Sequence, residues 1–333
     1  MAVGIIGRIR NSTGCRVRIL LVKTSSLGDV VHNLPVATDI ARQFPGAEID
    51  WVVEEGFAEL PRLHPAVRRV IPVAIRRWRK SIWSPATWRE IGAFRRTVKA
   101  DSYDLIIDTQ GLLKSALIAR TAIGPRIGYD RDSAREPAVA SHYDRHVTVS
   151  RDLHAVERNR LVAAQALNYV PASAVEYGIG AEPLAASWLP KGEYAVLLTA
   201  TSRADKEWPE DDWQALGMAL IATGLRCVLP GGSAPERERA ARLATKLGRA
   251  VAAPAMNLRE LAGLLAGARV VIGVDTGLVH LAAALGRPTI ALYCGSDPAL
   301  TGVLAGTVAI NLGGNGSPPP AGEVVRQALD LLR

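Results

Sequence analysis

An apolar run, Val17 to Val22, feeds the polar stretch Lys23-Thr24-Ser25-Ser26-Leu27-Gly28-Asp29, and an amphipathic run from Val30 to Gln43 leaves it. That order reads as strand, tight polar turn and helix. A chain built from such units is constrained to an α/β sheet, and open sheets of this kind bind ligands just past the carboxyl ends of their strands. The turn is rich in small hydroxyls and carries one glycine, so backbone N–H groups can come close to a ligand. It matches neither the Gly-x4-Gly-Lys-Ser/Thr phosphate loop nor the Gly-x-Gly-x-x-Gly dinucleotide turn. Two roles for Asp29 follow from its position. It can cap the helix, as Asp often does, or its carboxylate can take a proton from a hydroxyl nucleophile.

The same pattern recurs near the other end. Ala268 to Val274 is a β-branched apolar run, Asp275-Thr276-Gly277 is the turn, and Leu278 to Gly286 reads as a helix closed by glycine. Free N–H groups and the positive end of the dipole make such a helix start suitable for phosphate. Asp275 as a cap and His280 as a packed helix histidine are the competing readings. Between these turns the alternation persists. Strands are predicted at Ile49–Val53, Val70–Val73, Leu105–Ile107, near Arg126–Gly128, at Tyr194–Leu198, Arg226–Leu229 and Thr289–Tyr293. Helices are predicted at Leu112–Thr121, Ala155–Leu167, from Trp208, at Glu236–Leu247 and at Glu323–Leu332. This predicts parallel sheets with helices on both faces.

At 333 residues the chain exceeds one ordinary core, so two domains are expected. Pro171, Gly178, Gly180, Pro183 and Pro190 fall in a poorly periodic stretch, which puts the boundary near 175–190 and the domains at 17–180 and 181–333. Residues 1–16 read as a loosely ordered extension. Cys15, Cys227 and Cys294 are odd in number and far apart, so neither a disulfide framework nor a zinc site is expected. No apolar run is long enough to span a bilayer.

The formal net charge is +8, and Arg76, Arg77, Arg79 and Lys80 are clustered with Trp78, Trp83 and Trp88 interleaved. Basic and aromatic residues together suit a lipid headgroup interface or single-stranded nucleic acid, and a solvated helix face is the plainer alternative. No helix-turn-helix, RNA-recognition or zinc signature supports nucleic acid, which is therefore not expected as a partner. In the second half, Thr201, Ser202 and Lys206 offer two hydroxyls and an ammonium to a diphosphate, and Glu236 offers a carboxylate to a ribose diol. The first half, with Asp29, the Asp108-Thr109-Gln110-Gly111 turn, Lys114 and the basic cluster, looks like the site of a second, anionic substrate.

Several stretches carry a family resemblance: Val-Lys-Thr-Ser-Ser-Leu-Gly-Asp-Val-Val-His (22–32), Ala-Ile-Arg-Arg-Trp-Arg-Lys (74–80), Asp-Thr-Gln-Gly-Leu-Leu-Lys-Ser-Ala (108–116), Ala-Arg-Glu-Pro (134–137), His-Ala-Val-Glu-Arg (154–158) and Val-Asp-Thr-Gly-Leu-Val-His-Leu (274–281). From about Val17 onward the chain resembles the lipopolysaccharide heptosyltransferases of glycosyltransferase family 9. Within them, the second and third stretches point to the enzymes that add the first heptose.

The resemblance implies a GT-B fold, α/β, with two Rossmann-like parallel-sheet domains facing across a cleft. It implies inverting transfer of heptose from ADP-heptose to a Kdo hydroxyl of Kdo2-lipid A. Asp29 becomes the general base. Thr201, Ser202, Lys206, Thr276 and Gly277 become diphosphate ligands, with Asp275 near the heptose and His280 also on the donor side. Glu236 and Met256 become adenosine contacts, and Ser25, Ser26, Arg76, Arg77, Arg79, Lys80 and Gln110 become acceptor contacts. Ser202 stands where the family usually has a second Thr. No cofactor or metal is expected to be obligatory, because Lys206 and helix N–H groups can stabilise the departing ADP. An anionic inner-membrane surface is the expected further partner, approached from the cytoplasm, with Trp78 and Trp83 resting on it. The alternatives are a later-acting core heptosyltransferase and, in a different class, a non-catalytic basic binder of membrane or nucleic acid.

Overall fold

The computed structural model describes residues 16–201, 203–305 and 309–333. The extension expected at 1–16 lies outside the described residues, apart from Arg16. The chain divides into two compact units that meet in sequence between Ser173 and Ala174.

The first unit holds one six-stranded sheet: β1 Arg18–Val22, β2 Glu48–Glu54, β3 Val67–Val73, β4 Leu105–Asp108, β5 Arg126–Tyr129 and β6 Arg145–Val147, in the order β3-β2-β1-β4-β5-β6. The second holds another: β7 Tyr194–Leu198, β8 Arg226–Leu229, β9 Ala250–Ala252, β10 Val270–Val274, β11 Thr289–Tyr293 and β12 Ala309–Gly313, in the order β12-β11-β10-β7-β8-β9. Every pairing is parallel, and both orders are the same Rossmann-like winding. Helices cover both faces, so the central strands are buried on each side. Ile19, Leu20, Leu21 and Val22 of β1 are all fully buried, as are Ala195, Val196 and Leu197 of β7. Burial on both faces is why these strands read as continuous apolar runs without alternation. The order reverses between β1 and β4 and again between β7 and β10. Each reversal opens a crevice at the strands' carboxyl ends.

The amphipathic run expected as one helix over Val30–Gln43 is two helices, Leu27–Val31 and Leu34–Gln43, parted at His32-Asn33. Pro35 sits in the first turn of the second. Proline has no N–H to bond back, and its ring clashes with the carbonyl four residues earlier, so one continuous helix cannot form there. The helix Pro85–Lys99 lays Phe94 and Val98 on the same apolar cluster as Leu20, Val22 and Ile106. In the second unit Trp208 and Trp213 stack edge to face at 5.0 Å within a cluster that includes Leu197, Leu216, Leu243 and Ile272. Among the described residues no helix is long and apolar enough to cross a membrane.

Candidate functional site

In the first unit, β1 and β4 run side by side with Val22 opposite Asp108, so their following turns emerge together. Gln110 binds one turn to the other. Its Oε1 accepts from the N–H groups of Thr24 (2.7 Å) and Ser25 (3.2 Å), and its amide nitrogen donates to the Ser25 carbonyl. Lys23, buried beneath, donates to the Thr109 carbonyl at 2.9 Å and to Asn159 Oδ1 at 3.1 Å. Burial lowers the Lys23 pKa, against the opposing pull of Asp29 and Asp108. Asp108 itself is fully buried. It accepts from the Gln110 N–H at 2.8 Å and from the Tyr143 hydroxyl at 2.8 Å, and burial raises its pKa. Gly111 closes the turn at φ +67, and a Cβ there would lie 2.9 Å from the Tyr129 ring, so both conformation and space call for glycine.

On this platform stand Ser25, Ser26 and Asp29. Asp29 is half-buried, and its Oδ2 accepts from the Ser26 N–H at 2.6 Å and the Ser26 hydroxyl at 2.9 Å. Ser26 is the N-cap of the helix Leu27–Val31, and Asp29 is not the cap but its N3 partner, the carboxylate that closes a capping box. Among the described residues, no hydrogen bond engages Oδ1. Lys114 Nζ donates to Ser25 Oγ at 2.7 Å. Burial, and after it the charge of Arg76, lowers the Lys114 pKa, while Glu54 and Asp29 oppose the shift and Arg135 adds to it. Basic and acidic groups therefore share one neighbourhood beside Asp29.

The basic cluster is not uniform. The Arg76 N–H donates to Glu54 Oε1 at 2.9 Å, and its guanidinium lies 5.2 Å from the centre of the Phe57 ring. Arg77 is held between Glu55 and Glu90, with nitrogen–oxygen distances of 3.0 Å and 2.8 Å. Arg79 and Lys80 are exposed and make no ion pair among the described residues. Trp78, expected at a membrane surface, instead packs edge to face on Phe94 at 5.9 Å and donates to Glu90 at 2.8 Å. Its place in the strand-following turn puts its ring over the core cluster. Trp83 is 94% exposed, Trp88 57% and Ile82 38%.

In the second unit, β7 and β10 flank the crevice. Lys206, on the short turn Ala204–Lys206, reaches Asp275 Oδ2 at 2.5 Å. Ser296 Oγ donates to the same oxygen at 2.6 Å, and His280 Nε2 lies 3.5 Å from Oδ1. Burial works against ionisation of Asp275, but His280, Lys206 and Ser296 outweigh it and hold the carboxyl well below the usual carboxylate range. Thr276 caps the helix Gly277–Ala284 with extended backbone and no side-chain cap bond. The first N–H groups of that helix have no intrahelical partner. Thr201 is half-buried in the loop three residues past the end of β7, and Ser202 lies outside the described residues. Glu236 Oε2 is taken up by the N–H groups of Gly232 (2.7 Å) and Ser233 (3.1 Å) in a capping box, and among the described residues no hydrogen bond engages Oε1. Met256 is half-buried in the loop between β9 and the helix Leu258–Ala266. Thr201, Glu236, Met256 and Thr276 thus follow four neighbouring strands of one sheet. The sequence reading overlooked Ser296, although it follows β11 in the same strand-then-small-polar-turn pattern.

Asp130-Arg131-Asp132 has the Asp-x-Asp spacing seen in metal-dependent transferases. Here Asp130 accepts from the Ser133 N–H at 2.8 Å and from the Thr148 hydroxyl, which closes its turn. Among the described residues no three His, Cys, Asp or Glu are grouped to hold a metal ion.

Residues 91–324 match the model of glycosyltransferase family 9 (heptosyltransferase). The lipopolysaccharide heptosyltransferase 1 of Pseudomonas aeruginosa is 51% identical over 288 residues, covering 86% of this chain and 81% of that one. The structure of Escherichia coli heptosyltransferase WaaC with ADP superposes at a TM-score of 0.87 with 44% identity, covering 95% of this chain and all of that one (100%). WaaC with ADP-2-deoxy-2-fluoro heptose gives 0.82 and 43% over 94% of this chain and 99% of that one.

Proposed function

The chain belongs to glycosyltransferase family 9, the heptosyltransferases, and from that premise we propose that it transfers L-glycero-D-manno-heptose from ADP-heptose to a Kdo hydroxyl of Kdo2-lipid A. This is the first heptose addition of the lipopolysaccharide inner core, with inversion at the sugar carbon. The observation that carries the proposal is the Lys206–Asp275 pair beside a free helix start at the second sheet's crevice, in a chain 44% identical to a transferase solved with ADP.

Asp29 takes the proton from the Kdo hydroxyl through its unengaged Oδ1. The Kdo oxygen bonds to the heptose carbon on one face while the carbon–phosphate oxygen bond breaks on the other. ADP leaves with the electron pair. Lys206 and the N–H groups at Thr276 and Gly277 balance the charge that develops on its phosphates, with Thr201 and Ser202 adding hydroxyls. Glu236 and Met256 hold adenosine, and Asp275 and His280 border the heptose. On the acceptor side Ser25, Ser26, Arg76, Arg79 and Lys80 meet the Kdo carboxylates and lipid phosphates. Gln110 acts through the turn it braces, and Arg77 through the Glu55–Glu90 pairing that holds its stretch.

The acceptor's lipid anchor brings the protein to the cytoplasmic face of the inner membrane as a peripheral partner. Ile82, Trp83 and Trp88, exposed beside Arg79, Lys80 and Arg89, suit an anionic headgroup layer. The test is ADP release and mass gain of the acceptor when purified protein meets ADP-heptose and Kdo2-lipid A. Transfer only to an acceptor already carrying heptose would assign a later core step, and no transfer with tight salt-sensitive nucleic-acid binding would overturn the enzyme reading.

A further inference from the structure

Lys206 is held from two strands. β10 and β11 pair with Val274 opposite Leu292, and the Asp275 N–H donates to the Leu292 carbonyl at 3.0 Å, so the turns after both strands emerge side by side. Asp275 leaves β10 and takes the Lys206 ammonium on Oδ2. Cys294-Gly295-Ser296 leaves β11. Ser296 Oγ donates to that same Oδ2 at 2.6 Å, so the hydroxyl and the ammonium share one carboxylate oxygen. Gly295 touches the other end of the Lys206 turn. A Cβ on it would sit 2.6 Å from the Asp205 carbonyl oxygen and 2.9 Å from Asp205 Oδ2. Real Cβ atoms do not approach a carbonyl that closely, and the obstacle is backbone, which a rotamer change cannot relieve. The Gly316 N–H donates to the Cys294 carbonyl at 2.8 Å and fixes the loop at its base.

We propose that Gly295-Ser296 is a positioning element for the donor phosphates: it sets where the Lys206 ammonium stands by bracing both its carboxylate partner and the turn that carries it. The inference rests on the reading of Lys206 as a diphosphate ligand. A buried carboxylate holding a lysine can turn about its own Cβ–Cγ bond, and the ammonium then follows. Ser296 removes that freedom from one side, because its hydroxyl fixes Oδ2 while His280 lies against Oδ1. Gly295 removes it from the other, because the Ala204–Lys206 turn seats directly on a residue with no side chain. Neither residue needs to touch the nucleotide. Serine with glycine before it supplies a short donor and a flat contact; losing the hydroxyl removes the first, and a side chain on the glycine removes the second.

The test compares ADP with adenosine as ligands of the whole protein, by calorimetry for ADP and by competition for adenosine. Ser296→Ala is expected to weaken ADP roughly threefold to tenfold, the range for one hydrogen bond, and to leave adenosine unchanged. Ser296→Thr, which keeps the hydroxyl, is expected to restore ADP binding. Gly295→Ala is expected to weaken ADP at least as much as Ser296→Ala, through displacement of the turn. Equal losses for ADP and adenosine would mean a general disturbance of the unit and would overturn the proposal, as would unchanged ADP affinity in Ser296→Ala. Wild-type protein that binds no ADP would refute the donor-site reading itself, an outcome distinct from either.

Discussion

Replacing Asp29 separates its place in the capping box from its proposed role as general base. Oδ2 is committed to Ser26, with bonds of 2.6 Å to the N–H and 2.9 Å to the hydroxyl, and among the described residues no hydrogen bond engages Oδ1. Asparagine has the same shape and keeps one carbonyl-type oxygen for the Ser26 N–H, but it cannot accept a proton. Asp29→Asn is therefore expected to retain the cap and lose the base. Removing a general base costs about 10²–10⁴ in rate. Alanine removes both. Loss of the N3 half of a capping box costs about 0.3–1.5 kcal/mol, toward the low end here because Ser26 is exposed and water can replace the lost acceptor. Each kcal/mol moves the melting point of a domain this size by roughly 2–4 °C. The expected pattern is that both variants lose turnover equally, and only Asp29→Ala loses measurable stability. The assay is steady-state ADP release with Kdo2-lipid A, run beside thermal melts and ADP titration. If Asp29→Asn keeps more than about a tenth of wild-type kcat, or if activity falls only in proportion to stability, Asp29 is a capping-box partner and nothing more.

Lys206→Ala is expected to weaken ADP by roughly 10- to 150-fold, from about 1.5–3 kcal/mol for a hydrogen bond to a charged group, and unchanged affinity by calorimetry would remove it from the donor site. Replacing Arg79 and Lys80 together by Ala is expected to raise acceptor KM several-fold and leave ADP affinity alone, because both are exposed and make no ion pair among the described residues; equal effects on both substrates would refute this. Trp83→Ser is expected to reduce sedimentation with anionic vesicles without changing the melting point, since Trp83 is 94% exposed, whereas unchanged sedimentation would remove it from the membrane surface. His64 accepts from the Ala66 N–H on Nδ1 at 3.1 Å, so Nε2 carries the proton toward Thr38 Oγ1 at 2.9 Å, and burial pushes its pKa down to about 4. Its folded value lies below its unfolded one, so the stability it contributes is complete above about pH 6.5 and is lost as pH falls toward 4, by about 3 kcal/mol in all. Urea unfolding of His64→Gln between pH 7 and 5 is expected to show a weaker pH dependence than wild type, and an equal dependence would refute the assignment.

Local physics made much of this protein legible in its sequence. A β-branched apolar run, a small polar turn and an amphipathic run are each decided within about a dozen residues, so β1, β7, β10 and β11 and the turns after them could be read directly. Asp29, Lys206 and the Asp275-Thr276-Gly277 turn were found the same way, as polar residues following such runs. The edge strands β6 and β9 are three residues long and β12 is interrupted by Asn311, so none stands out from loops, and only pairing with a neighbour makes them strands. Partners far apart in the chain were beyond the sequence altogether. Gln110 braces Thr24 across 86 residues, Lys114 meets Ser25 across 89, and Lys206 meets Asp275 across 69. Three tryptophans in one basic stretch looked alike, yet Trp78 joined the core and Trp83 stayed in solvent. The sequence determined that two parallel sheets would form and which turns would end their strands, because strand, turn and helix preferences are set by neighbours in the chain. Which side chains meet, and which charges remain free for a ligand, was decided only by the order of the strands, because a parallel sheet brings together turns that the chain keeps far apart.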